Sequence, residues 1–317
     1  MRPRGIEKGV TVAVTGNGSI DVSEEVGAAL AGGRPVVALE SSIVAQGFPK
    51  PQNREVGRGM LTAVRDGGAA PAMTAVIDGR IKLGLDDAGL DRLAFEDSMK
   101  CSARDLGMAM ASGATGATTV AATLRIAAAA GIRVFATGGI GGVHPGAGTP
   151  DISADLPELG RCPVAVVCSG AKSVLDLPAT LERLETEGVP VIGVGCDELP
   201  AFHTRDSGLS LKYRMDDMDE LARAAAAHWS LPGAGAVLVC NPPPAEAALD
   251  RQKVEGLVAE ALAEASRDGI RGDAVTPYVL AALNRLSDGR TLTVNHALAV
   301  SNAALGARLA VAMAATG

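Results

Sequence analysis

Short β-branched runs alternate with alanine-rich stretches along the whole chain, and that alternation limits the fold more than any single motif does. The apolar runs fall at residues 35–39, 73–77, 133–136, 164–168, 189–194 and 236–239. Amphipathic helical spacing covers 118–130, 174–187, 218–229 and 251–268, each stretch closed by glycine or broken by proline within a few residues. Strands separated by helices in this way layer onto a largely parallel sheet. The expected fold is a three-layer α/β/α sandwich around a mostly parallel, possibly mixed sheet. A last helix is expected over 292–314, with an alanine-rich face suited to close packing on the sheet or against a neighbouring subunit. A chain of 317 residues, 47% of them apolar, can bury such a core as one domain, taken as 21–317 behind an N-terminal extension over 1–20.

Charge and aromatic content narrow the partners. A net charge of −7 argues against a nucleic-acid polymer, which needs clustered Lys and Arg. Only 4 Phe, 2 Tyr and 1 Trp are present, too few for a platform that stacks an extended single strand, so a bound base would be held mostly by hydrogen bonds. No apolar run approaches the roughly 20 residues that span a bilayer, and residues 1–4 lead only into the short run 10–14. Neither a signal peptide nor a membrane anchor is expected. The 5 cysteines include no CxxC pair and fit buried, reduced thiols in the cytoplasm.

In open α/β sheets ligands sit beyond the carboxyl ends of the strands, so polar residues directly after apolar runs are the candidates for chemistry. Glu40 ends the run Val37-Ala38-Leu39. A carboxyl at the rim of an apolar sheet is desolvated, which raises its pKa and suits it to hold a proton at neutral pH; a solvated Glu or a helix cap is the alternative. After Val134-Phe135-Ala136 comes Thr137-Gly138-Gly139-Ile140-Gly141-Gly142-Val143-His144, where glycines can curl the backbone into an anion cradle or merely form a tight loop. The loop is no dinucleotide fingerprint, since His144 stands where the third glycine would, and Gly170-Ala171-Lys172-Ser173 is no P-loop. In Asp151-Ile152-Ser153-Ala154-Asp155 the carboxylates suit a hard divalent cation that keeps most of its waters, or else helix capping. Lys172 follows the run 164–168 in a chain with 7 Lys against 22 Arg, so a lysine here hints that an amine is needed. A neutral amine can form an imine and a guanidinium cannot. Lys100, before Ser102 and Arg104-Asp105-Leu106, is a candidate ligand clamp or neighbouring cation; for either lysine a phosphate-binding or surface role is the alternative.

Together these segments closely resemble the pseudouridine-5′-phosphate glycosidase family, which includes indigoidine-synthesis A proteins. The likeness runs from about Val22 to Ala310. Its most specific stretches are Ala38-Leu39-Glu40-Ser41-Ser42-Ile43 with Pro51-Gln52-Asn53, Gly116-Ala117-Thr118-Thr119-Val120-Ala121, residues 135–144, residues 151–156 and Ser169-Gly170-Ala171-Lys172-Ser173. The resemblance implies that Glu40 is the proton donor and Lys172 the nucleophile. It implies that Lys100, Val120, Ser153, Ala154 and Asp155 contact substrate, that Asn295 contacts the base, and that Asp151 holds one manganese-type divalent ion (Mn2+) per subunit. It also implies a cytoplasmic homotrimer acting on pseudouridine 5′-phosphate, with ribose 5-phosphate and uracil as the other small-molecule partners. Residues 1–20 are longer than the typical family start, and the loop 145–150, beside Asp151, is shorter and richer in Gly and Pro.

The expected reaction follows from the bond. A carbon–carbon glycosidic link offers no glycosidic oxygen to protonate, so the usual first step of paired carboxylates is closed. Lys172 is expected to add to the former anomeric carbon of the opened ribose while Glu40 protonates the base carbon, with phosphate at the glycine loop and Thr137. Two rivals use the same residues: a Schiff-base lyase or aldolase on another sugar phosphate, and a non-catalytic sugar-phosphate-binding protein, which would need neither Lys172 nor Glu40.

Overall fold

The structure, a computed structural model, describes residues 10–13, 19–146, 151–270 and 275–316. In chain order the first half runs β1 (Val10–Ala13), β2 (Ser19–Val22), α1 (Glu24–Ala31), β3 (Val36–Leu39), α2 (Ser42–Gln46), α3 (Gln52–Asp66), β4 (Ala70–Ile77), β5 (Arg80–Leu83), α4 (Asp87–Phe95), β6 (Met99–Cys101), α5 (Leu106–Ser112), β7 (Gly116–Thr118), α6 (Val120–Ala129) and β8 (Val134–Ala136). It continues with α7 (Asp155–Leu159), β9 (Ala165–Cys168), α8 (Leu177–Thr186), β10 (Val191–Gly193), β11 (Tyr213–Arg214), α9 (Met218–Trp229), β12 (Val237–Cys240), α10 (Arg251–Arg267), α11 (Val275–Leu286) and α12 (Arg290–Thr316).

One 12-stranded sheet runs β1-β2-β5-β4-β3-β8-β9-β12-β10-β11, with β7 on β4 and β6 on β7. From β4 to β11 every neighbour along this path is parallel, so β3, β8 and β9 end on the same edge. The antiparallel pairs are β1 with β2, β4 with β5, and β4 with β7. The sheet is therefore mixed and mostly parallel, with helices on both faces. Strand β1 lies within residues 1–20 and pairs with β2 at the sheet margin.

Alternation along the central strands sorts the core into two layers, because successive side chains leave a strand on opposite faces. Val36, Ala38, Phe135, Val166, Cys168, Leu238 and Cys240 meet the layer that contains α1, α6, α8 and α11. Val37, Leu39, Val134, Ala136, Val167, Val237 and Val239 meet α3, α4, α9 and α12. Burial on both sides is why these strands read as unbroken apolar runs. Helix α12 is long and apolar enough to cross a membrane, yet 56% of its most apolar window is buried inside the molecule. Its small residues face the sheet: a Cβ added to Gly306 would stand 3.1 Å from the Ala136 Cβ and 3.4 Å from Val37 Cγ1.

One polar side chain in this apolar helix ties the strand ends together. Asn302, fully buried, donates from Nδ2 to the Thr137 carbonyl at 2.8 Å, to the Gly138 carbonyl at 3.2 Å and to Ser169 Oγ at 3.1 Å. Its Oδ1 accepts from Asn241 Nδ2 at 2.9 Å. The residues just beyond β8, β9 and β12 are thus fixed to one amide. Asn302→Ala would strand several buried polar groups and leave a void. It is expected to lower stability by about 3 kcal/mol in urea unfolding; a loss below about 1 kcal/mol would contradict this role.

Candidate active site

Glu40 follows β3 and is 5% exposed. Thr137 Oγ1, at the end of β8, donates to its Oε1, and Ser42 Oγ donates to its Oε2. Burial raises the Glu40 pKa above the ordinary carboxyl value, against the pull of the Lys172 charge and the two hydroxyl donors; Asp155 adds to the rise. Desolvation prevails because the group is enclosed on an apolar sheet. The same balance places Lys172 and Asp155 within electrostatic reach of Glu40.

The loop that carries Lys172 is held by pairing that continues past the strands. Ile140 N donates to the Gly170 carbonyl and Lys172 N to the Ile140 carbonyl, each at 3.1 Å. The loop turns at Gly170, where φ is +80° and a Cβ would stand 2.0 Å from the Pro200 carbonyl oxygen, so only glycine fits. The half-buried Lys172 ammonium has no ion pair or hydrogen bond within the chain among the described residues and is available to a ligand.

The glycine loop after Thr137 is partly tied down within the chain. Four of its amides are engaged: Ile140 N as above, Gly141 N by Asp155 Oδ2 at 2.8 Å, Val143 N by Thr180 Oγ1 at 3.0 Å and His144 N by the Asp151 carbonyl at 2.9 Å. Its glycines also permit close packing, since a Cβ on Gly139 would meet Phe202 at 2.6 Å and one on Gly141 would meet Ser153 Oγ at 2.2 Å. Thr137 itself holds Glu40.

Asp155, 7% exposed, bridges that loop to the start of α6, accepting from Ala121 N at 2.9 Å as well as from Gly141 N. Ser153 Oγ accepts from Asp155 N at 3.2 Å, and Ala154 is exposed beside it. Val120 opens α6 behind Thr119, whose buried Oγ1 has no hydrogen-bond partner among the described residues. The first-turn amides of a helix have no partner within the helix and carry its positive dipole end. Lys100 is exposed on β6, in register with Ala117 of β7, the strand that feeds α6. Below the first turn, the buried hydroxyls of Thr74, Thr118 and Thr123 form a chain that Ser41 joins through Thr118, fixing the α6 entry to β4 and to the residue after Glu40.

Asp151 and Asn295 complete the set of expected site residues. Asp151 is exposed, and among the described residues no group of three or more His, Cys, Asp or Glu side chains could hold a metal. Both oxygens of Asp155 are taken by amides, so the donor set at this end is one carboxylate, which suits only a largely hydrated ion. Asn295 lies near the start of α12, two turns before Asn302 on the same helix face. Asn302 and Thr137 had no assigned part in the sequence-derived site beyond the loop reading; the signal for Asn302 was a second asparagine seven residues after Asn295 in an otherwise apolar helix.

The electrostatics of Glu40 predict a pH dependence. Its folded-state pKa lies above the unfolded value, so its contribution to stability is fully present below the unfolded pKa and is lost as pH rises through the folded one. Glu40→Gln cannot ionise and is expected to gain stability relative to the native protein as pH rises above the ordinary carboxyl range in denaturant unfolding. A difference that does not change with pH would contradict a buried carboxyl with a raised pKa.

Comparison with known proteins places the chain in a family. The sequence profile of the indigoidine synthase A-like proteins matches residues 25–312. A pseudouridine-5′-phosphate glycosidase of Myxococcus xanthus is 54% identical over 92% of this chain and 97% of its own length. One of Herpetosiphon aurantiacus is 52% identical over the same shares. Among solved structures, the prealnumycin C-glycosynthase AlnA in complex with ribulose 5-phosphate has a TM-score of 0.87 and 44% identity, over 94% of this chain and 97% of AlnA. An indigoidine synthase A-like protein of Thermotoga maritima has a TM-score of 0.83 and 33% identity, over 89% and 94%. A profile match that spans nearly the whole chain, with relatives this similar along their full length, establishes that the protein belongs to the indigoidine synthase A-like family.

Proposed function

We propose that this protein is a pseudouridine-5′-phosphate glycosidase that reversibly cleaves the C-glycosidic bond to give ribose 5-phosphate and uracil. The observation that carries the reading is the buried carboxyl of Glu40, its pKa raised by desolvation, within electrostatic reach of Lys172 at strand ends on the same sheet edge. An acid and an amine within electrostatic reach of each other are what this bond requires. Opening of the ribose breaks the bond from the anomeric carbon to the ring oxygen, which takes up a proton while the base ring loses one and forms a double bond to that carbon; Lys172 Nζ, as the neutral amine, adds there and its extra proton returns to the base ring. Glu40 delivers its proton to the base carbon as the carbon–carbon bond breaks, so the electron pair of that bond leaves with the base as a C–H bond. Water then hydrolyses the sugar–lysine imine, freeing Lys172, and Glu40 regains a proton from solvent. Thr137 and Ser42 hold the carboxyl in one orientation throughout.

The phosphate is best accommodated at the first turn of α6, with Val120 N, the unpartnered Thr119 hydroxyl, exposed Lys100 and the Ser153–Asp155 turn around it. Asp151 would hold a divalent ion of the manganese type, one per subunit; when bound, such an ion supplies positive charge that neutralises an anionic substrate. The enzyme is further proposed to be a cytoplasmic homotrimer. The exposed apolar side chains of Phe95, Met99 and Met108, around β6 and α5, suit a subunit contact. The likeness to AlnA favours a second reading, in which the same lysine and acid form a carbon–carbon bond between a pentose phosphate and a different aromatic partner.

Free uracil is expected to appear from pseudouridine 5′-phosphate with added manganese in the native protein and to fall by at least about 1,000-fold in Lys172→Ala. Absence of uracil from folded, metal-loaded native protein would sink the assignment and leave the glycosynthase and lyase readings. Lys100→Ala is expected to raise KM for the phosphorylated substrate by about tenfold or more with kcat changed far less, as for loss of a charged phosphate contact. An unchanged KM would move the phosphate away from β6.

A further inference from the structure

His203 is fully buried and is not among the residues that motif or spacing singles out. It follows Phe202, a non-glycine residue at φ +64°, a backbone conformation that costs about 1–2 kcal/mol and persists only where its surroundings enforce it. Here Phe202 N donates to the Ser169 carbonyl and Leu249 N to the His203 carbonyl, each at 2.9 Å. The strained turn thereby sets the imidazole against the lysine loop. Its Nδ1 lies 2.8 Å from Oγ of Ser173, the residue after Lys172.

The far side of the ring is less settled. His203 Nε2 and Asn295 Oδ1 are both buried without a hydrogen-bond partner among the described residues. They belong to neighbouring groups, since Asn295 acts on the imidazole and favours its charged form, although burial prevails and brings the His203 pKa down to about 4. Each side chain thus holds one buried polar atom that a contact with the other would satisfy. A neutral imidazole carries one N–H. With the Ser173 hydroxyl donating to Nδ1, that N–H is on Nε2, and the unpartnered Asn295 oxygen is its complement. Asn295 shares its helix face with Leu298, whose Cδ1 lies over Gly138, and with Asn302 beneath Thr137. That face looks toward the ends of β8 and β9, where the base would lie.

We propose that His203 is a positioning residue for the base: its Nε2–H holds the Asn295 side-chain oxygen, so that the Asn295 amino group is presented to the cleft as a donor for a base carbonyl. The proposal rests on the glycosidase reading for its ligand, but the lock between the two side chains does not. An amide free to turn over would offer either an oxygen or an amino group; a locked one selects a ring bearing a carbonyl over one bearing an amino group.

The test has two arms. Long-range 15N–1H spectra of histidine-labelled native protein should show His203 protonated at Nε2 and not at Nδ1 near pH 7. In the second arm, base release is compared for pseudouridine 5′-phosphate and for its two analogues in which one base carbonyl is replaced by an amino group. The native enzyme should prefer the carbonyl substrate, and His203→Leu should narrow that preference by about tenfold or more. His203→Gln, whose amide can supply an N–H near the Nε2 position, should restore it to within about threefold. A proton on Nδ1, or an unchanged preference in folded His203→Leu, would overturn the proposal; if His203→Leu does not fold, His203→Gln losing the preference would do so. If the native protein releases no base from any of these substrates, the glycosidase reading fails, and the spectra alone decide whether the lock exists.

Discussion

The site depends on a single amide in an otherwise apolar helix. A parallel sheet delivers the ends of β3, β8 and β9 to one edge, but it does not by itself fix the irregular backbone beyond them. Asn302 ties that backbone together, donating to the Thr137 and Gly138 carbonyls and to the Ser169 hydroxyl oxygen. The consequence reaches both reacting groups: Thr137 holds the Glu40 carboxyl, and Ser169 begins the turn that ends at Lys172. An amide suits this position because it offers two donors and an acceptor without a charge that burial would penalise. The close approach of α12 at Gly306 brings it within reach.

Around that hub the chemistry is a contest between solvation and charge. Lys172, Ser42 and Thr137 each favour the ionised form of Glu40, and burial outweighs them. A more exposed carboxyl would give up its proton more readily, and one without nearby donors would be poorly oriented. Asp155 shows the contrasting solution: its oxygens are occupied by the amides of Ala121 and Gly141, so it serves as a strut between α6 and the glycine loop and as a nearby negative charge that helps Glu40 keep its proton.

Much of this arrangement was legible in the sequence because the central strands are buried on both faces and therefore form uninterrupted apolar runs. Glu40 and Lys172 stand out as the polar residues that break those runs. Helix α9 was legible to its bounds because Asp217 caps it, accepting from Glu220 N at 2.8 Å. The antiparallel margin was not visible: β6 and β7 have 3 residues each, and Arg80–Leu83 alternates too briefly to declare a strand. The packing role of the glycine loop was not legible, because glycine permits both an anion cradle and tight packing, and the latter shows only in the positions of Phe202, Ser153 and Thr180. His203 could not be anticipated, since its place depends on a turn stabilised by contacts from Ser169 and Leu249 far away in sequence.

The central claim is that Lys172 bonds covalently to the sugar while Glu40 carries the proton. The most direct measurement is reductive trapping: protein incubated with pseudouridine 5′-phosphate or ribose 5-phosphate and a mild hydride donor, then digested and mapped by mass spectrometry. The account predicts a ribose-phosphate adduct on the peptide that contains Lys172, formed in Glu40→Gln from ribose 5-phosphate and absent in Lys172→Ala. An adduct confined to another lysine, or turnover of the substrate with no trappable adduct on Lys172, would contradict it.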